Sequence, residues 1–162
     1  LGTDDTGPIE IKPLEPGGNC PLVMTYANGT QLKLVGKKRG YEDLGAIFVG
    51  EKGTLEIRRG SCVADPKELL AGAPPDSPSV RAGETTPHLK NFFDCIRSRQ
   101  KPNADAETGH RATTLCHLAN VARAVQRPLR WDPQTERFIS NDEANLFLSR
   151  PRRKGFELPT IG

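Results

Sequence analysis

The chain has 162 residues, of which 35% are hydrophobic and 27% charged, with a net charge of +3. This is apolar enough for one folded domain with a core, and too balanced in charge to point to nucleic acid or a membrane surface. No apolar run approaches the roughly 18 residues of a membrane span, and the opening residues carry no secretory-leader pattern.

Sixteen Gly and fourteen Pro predict many turns. Leu1 in place of Met, leading straight into Thr3-Asp-Asp-Thr-Gly-Pro, is what an interior piece of a longer polypeptide is expected to show, the alternative being a processed or tag-trimmed whole protein. One strand is expected from Pro8 to Leu14. Asn28-Gly29 then separates two extended runs, and both residues tolerate the positive φ of a type I′ turn, so residues 22–26 and 30–35 are predicted to pair antiparallel. A second hairpin follows, with Ala46–Gly50 and Thr54–Arg58 flanking Gly50-Glu-Lys-Gly53. Leu55 and Ile57 alternate with Glu56 and Arg58, which places a core on one side and water on the other. A short strand is expected at Ser61–Ala64. Five or six sequential strands joined by hairpins predict an open antiparallel sheet, without the βαβ unit that builds a nucleotide-binding crevice.

Asp65-Pro66 is expected to cap a short helical turn. Residues 72–85, with neither apolar periodicity nor β-branched runs, predict an exposed loop. Thr86-Pro87 supplies a hydroxyl cap and a proline suited to a helix start, and Leu89, Phe92, Phe93 and Ile96 form a helical stripe.

The chain is organised around Asp105 to Asp132. Ala112, Leu115, Leu118, Ala119, Ala122 and Val125 recur at three- and four-residue steps, which predicts a core helix. Arg111, Arg123 and Gln126 fall off that stripe, and Pro128 stops the helix. The sole tryptophan, Trp131, anchors the exit. Residues 133–162 predict an extended C-terminal arm with one short helix near 142–148, capped by Asn141 or Ser140, and a basic stretch Arg150–Lys154. The fold class is therefore α+β, an open antiparallel sheet with two main helices packed on one face.

Catalytic motifs are absent from the sequence: there is no GxGxxG, GxxxxGK[ST], GxSxG or HExxH. Cys20, Cys62, Cys95 and Cys116 form no CxxC pair, and the three histidines have no metal-ligand spacing, so reduced structural cysteines in a reducing, cytoplasmic setting are expected rather than a zinc site. Paired acids occur at Asp4-Asp5 and Asp142-Glu143, with no second acid at a fixed spacing. His110 and Arg111, near the start of the core helix, are the candidate site residues. Such a pair can hold a carboxylate or phosphate with help from free backbone N–H groups, or else form a structural hydrogen-bonded pair or an interface contact. His117 follows Cys116 directly and points elsewhere on a helix, so the two do not make an activated thiol. No metal site is expected.

The order of several phrases carries a resemblance. Phe48-Val-Gly-Glu-Lys-Gly-Thr-Leu is followed by His88-Leu-Lys-Asn-Phe-Phe-Asp-Cys-Ile-Arg-Ser. After Lys101-Pro-Asn-Ala-Asp come Gly109-His-Arg-Ala-Thr-Thr-Leu-Cys-His-Leu-Ala-Asn and Leu129-Arg-Trp-Asp-Pro. Glu143-Ala-Asn through Ser149-Arg-Pro and Arg153-Lys close the series. These phrases, covering most of residues 20–158, resemble the C-terminal region of bacterial oxidoreductases of the glucose-fructose oxidoreductase, inositol dehydrogenase and rhizopine-catabolism (Gfo/Idh/MocA) group. The resemblance implies a two-domain parent whose N-terminal Rossmann domain binds NAD or NADP, with residues 1–162 as its C-terminal substrate-binding and oligomerisation domain. It implies sugars, polyols or their derivatives as substrates. The family's Gly-rich loop, Glu-Lys-Pro motif and usual catalytic histidine have no counterpart in these residues, so no catalytic or cofactor-binding residue carries over and the fragment is expected to be inactive alone. The partners implied are the parent's own Rossmann domain and a second copy through the sheet face. The alternatives are a self-standing protein-interaction module using that face, and part of an NAD-dependent glycosidase.

Overall fold

The computed structural model describes residues 2–3, 5–35, 45–58, 61–71 and 86–159. The chain divides into two compact units, residues 1–36 with 104–162 and residues 37–103. The architecture is α+β, with open antiparallel sheets and two main helices. The expected loop at 72–85, the side chain of Thr86, and Asp4 of the Asp4-Asp5 pair lie outside the described residues.

In the first unit, β1 (Glu10–Pro13), β2 (Leu22–Thr25) and β3 (Gln31–Leu34) are joined by β7 (Leu129–Asp132) and β8 (Arg137–Phe138) into a five-stranded sheet of order β3-β2-β1-β7-β8. The β2–β3 hairpin departs from the expected two-residue turn. Tyr26 N–H donates to Thr30 O at 2.9 Å, and Gly29 N–H donates to Tyr26 O at 2.9 Å. Only Gly29 has a positive φ, +86°, so the loop is of the three-residue kind that ends in a left-handed glycine. Asn28 contributes through its side chain, whose Oδ1 accepts from Thr30 N–H at 3.0 Å.

Helix α2 (Ala106–Val125) covers one face of this sheet. Leu118, Ala119, Val121, Ala122 and Val125 are buried against Ile11, Leu22, Met24, Leu129, Trp131 and Phe138. The small Ala119 and Ala122 let the helix lie close to the strands. Ala112, expected in the stripe, is exposed, and Val121 takes a core position, so the buried part of the helix is its C-terminal half. The helix ends at Gln126, whose left-handed φ of 58° stops it before Pro128.

The register makes the opposite sheet face polar. Gln31, Thr25, Glu10 and Arg130 stand side by side across four strands, with Lys33, Val23 and Lys12 as the next row. The consecutive apolar residues of β2 are thus accounted for: Leu22 and Met24 enter the core while Val23 stands between two lysines. From residue 133 onward the expected extended arm is partly folded. Trp131 and Phe138 meet edge to face with ring centroids 4.9 Å apart. Helix α3 (Asp142–Leu146) is capped by Asn141, whose Oδ1 accepts from Ala144 N–H at 3.0 Å. The Asn145 amide bonds both Phe138 N–H and Phe138 O at 2.9 Å, pairing α3 with β8.

In the second unit, β4 (Gly45–Gly50), β5 (Gly53–Arg58) and β6 (Ser61–Asp65) form a separate three-stranded antiparallel sheet, so the hairpin strands do not all join one sheet. Gly50 pairs with Gly53 across Glu51-Lys52. Alternation puts Ala46, Phe48, Leu55, Ile57, Cys62 and Ala64 on one face. Pro66 precedes a 3₁₀ turn at Lys67–Leu70 that has no side-chain cap. Helix α1 (Thr86–Ser98) carries the expected stripe of Leu89, Phe92, Phe93 and Ile96, each about half exposed. Among the described residues no helix is long and apolar enough to cross a membrane.

Candidate functional site

Asp105 decides what the start of α2 can bind. Its Oδ1 accepts from Glu107 N–H at 2.9 Å and Thr108 N–H at 3.3 Å, and Oδ2 accepts from the Thr108 hydroxyl at 2.7 Å. Gly109 N–H already donates to Asp105 O at 3.0 Å. The backbone donors expected to help His110 and Arg111 hold an anion are therefore occupied by a side-chain cap, the ordinary solution at a helix start.

His110 and Arg111 turn to different partners. His110 Nε2 lies 2.6 Å from Glu136 Oε1, in the turn between β7 and β8. Arg111 Nη2 lies 2.6 Å from Glu107 Oε1, one helical turn earlier. The Nε–H of Arg111 is buried and has no acceptor. It borders a shallow depression lined by Thr6, Gly7, Thr114, Leu115, Trp131 and Glu136, with a cavity volume of about 10 Å³. Small-molecule pockets usually run to roughly 300–1,000 Å³, and a single water needs roughly 10–15 Å³, so the depression has room for about one water and not for a sugar.

Of these residues only Arg111 was legible as a candidate in the sequence. Trp131 stood out for its rarity, and its position beside Arg111 follows from β7 pairing with β1, a contact across more than a hundred residues. Glu136 arrives through a turn whose left-handed φ of 52° belongs to a non-glycine residue, for which no local signal exists. Asp132 shapes that turn. It accepts from Gln134 N–H at 3.0 Å and from the Thr135 hydroxyl at 2.7 Å, and the hydroxyl first, then the backbone donors, hold its carboxyl below the usual carboxylate range.

The remaining chemistry-bearing residues are dispersed. His88 and His117 are exposed. The Cys116 thiol faces Ala112 O at 3.8 Å rather than His117. All four cysteines are free, and among the described residues no group of three potential metal ligands forms.

An open antiparallel sheet backed by a long helix defines an α+β domain. Residues 1–158 match the family described as oxidoreductase family, C-terminal alpha/beta domain, of the Gfo/Idh/MocA proteins. The chain belongs to that family. Comparison with curated proteins and with solved structures finds no match.

Proposed function

We propose that this chain is the substrate-binding and oligomerisation domain of an NAD(P)-dependent oxidoreductase acting on sugars, polyols or their derivatives, and that it turns nothing over alone. The observation that carries this reading is the family match, which spans residues 1–158 as a C-terminal domain. The chain's own residues do not fit a dinucleotide. Every strand pairing among the described residues is antiparallel, whereas dinucleotides sit at the carboxyl ends of parallel strands beside a Gly-rich turn. In this reading the cofactor is held by a Rossmann domain of the parent. Isothermal titration of this chain with NAD and NADP checks it. No binding is expected, and micromolar affinity for either would overturn the division of labour.

The oligomerisation half of the proposal moves to the three-stranded sheet. The five-stranded sheet turns Glu10, Lys12, Gln31, Lys33 and Arg130 outward. By contrast Phe48 is 38% and Ile57 42% exposed on a face that alternation makes apolar, and such a face is commonly buried in a two-fold contact. Sedimentation at micromolar concentration should show a dimer or larger, and Phe48→Asp should dissociate it. A monomeric wild-type chain would remove this half and leave the substrate-binding half standing.

A further inference from the structure

We propose that helix α1 docks, through Leu89, Phe92, Phe93 and Ile96, on the apolar face of the three-stranded sheet of a second copy of this chain, whose own α1 returns the contact. This docking gives the proposed two-fold association its second surface and rests on that reading. Helix α1 is held by its polar side. Asn91 Oδ1 accepts from Asn103 N–H at 2.9 Å, and Asn91, Asp94 and Cys95 are the half-buried residues among its described side chains. The apolar stripe is the more open side, with Phe92 48% and Phe93 52% exposed. No other element among the described residues packs along it. An amphipathic helix buries its apolar side, so one whose apolar side is the barer lacks its partner.

The sheet of the same unit carries a matching face. Ala46, Ile57 and Cys62 form one row across β4, β5 and β6, with Phe48, Leu55 and Ala64 as the next. The first row is exposed throughout. Three strands spaced about 4.8 Å apart make a face about 10 Å across. The α1 stripe rises seven residue steps from Leu89 to Ile96, which at 1.5 Å each makes it about 10 Å long. Neither patch contains a charged side chain to desolvate.

Area decides which surfaces meet. An aromatic side chain carries roughly 150–250 Å² and a four-carbon aliphatic one about 130 Å², so the half-exposed stripe offers about 300 Å². The sheet face, with Phe48 38% and Ile57 42% exposed beside open Ala46 and Cys62, offers about 200 Å² on the same scale. Stripe on stripe would bury about 600 Å² and sheet on sheet about 400 Å², both within the range of casual contacts below about 800 Å². Stripe on sheet, made twice about a two-fold axis, buries about 1,000 Å², which is what a specific interface needs at the least. Only the reciprocal arrangement reaches that size.

Isotope-filtered NMR of an equal mixture of carbon-13-labelled and unlabelled chains reads the contact directly. In a chain that sediments as a dimer, cross-peaks are expected between the Phe92 or Phe93 ring protons of one copy and the Ala46 or Ile57 methyls of the other. Phe93→Asp should raise the dimer dissociation constant by about thirtyfold or more, the scale of a buried aromatic anchor. Leu89→Ala is milder and should raise it about fivefold. Both residues are exposed in the single chain, so circular dichroism should show the fold retained. A dimer without these cross-peaks, or one that both variants leave unchanged, would overturn the docking of α1 while the sheet-face contact stands. Cross-peaks confined to single chains would overturn it too, because α1 would then cover its own sheet. A monomeric wild-type chain would remove both.

Discussion

Glu136 Oε1 lies 2.6 Å from His110 Nε2, and Glu136 itself holds a left-handed φ of 52°. The pair joins the second turn of α2 to the β7–β8 turn, 26 residues away in sequence. Both side chains are about half exposed, and pairs of this kind contribute at most about 1 kcal/mol. His110→Ala should therefore lower the melting temperature by only about 2–4 °C. The backbone separates two further variants. Glu136→Ala and Glu136→Gly both lose the contact, but glycine also escapes the left-handed penalty of roughly 1–2 kcal/mol. Glu136→Gly should melt above Glu136→Ala, and equal melting temperatures would show that the turn carries no such strain.

Gln126 closes α2 onto the turn before β2. Its Oε1 accepts from Gly17 N–H at 2.7 Å and its Nε2 donates to Gly17 O at 3.1 Å. Gln126→Ala should lose both bonds, each worth about 0.5–1.5 kcal/mol and nearer the low end on an exposed surface. The sharper readout is local: the Gly17 amide should exchange faster with solvent while core amides keep their protection. Arg123 Nε, which donates to Cys20 O at 3.1 Å, remains as a second tie. Unchanged Gly17 exchange would mean that the bonds are not populated in solution.

The stripe of α2 can be tested where expectation and structure part. Leu118 is 1% exposed and Ala122 0%, so Leu118→Ala should destabilise by about 2–5 kcal/mol through the cavity left behind. Ala122→Leu should cost about 1–3 kcal/mol by pushing the helix off β1. Ala112→Leu, on an exposed turn of the same stripe, should stay within about 0.5 kcal/mol of wild type. Denaturant unfolding checks all three, and a large effect at Ala112 would place the core higher along the helix.

Asp132 gives stability a pH dependence of known sign. Its carboxyl titrates below the ordinary 3.8 because the Thr135 hydroxyl and the Gln134 and Thr135 N–H groups favour the charged form. A depressed carboxylate contributes stability that is present above its ordinary range and lost as pH falls through its folded value. Asp132→Asn removes that term, so its melting temperature should fall less steeply than wild type below about pH 4. Parallel pH profiles would assign the acid sensitivity to other carboxylates.

Much of the local architecture was written in the sequence by itself. The two hairpins, the span of α2 with its Asp105 start, and the Asn141 cap of α3 depend on neighbours within a few residues. Periodicity and turn chemistry act at that range, so these elements could be read directly, although the type I′ turn at Asn28-Gly29 was not the loop that formed. The order of phrases from Phe48 to Lys154 likewise carried the family.

Tertiary structure alone decided the partition of strands and the content of the site. A helix of 20 residues spans about 30 Å at 1.5 Å per residue, and its buried face lies across β1. The chain therefore returns as β7 beside β1 rather than extending the hairpin series. That return sets Trp131 against the segment containing Gly7, and the turn after it swings Glu136 onto His110. Strands of four and two residues are too short for periodicity to announce. The surroundings of Arg111 beyond its own helix depend on where a distant strand lands, and a sequence fixes that only through the packing of its whole core.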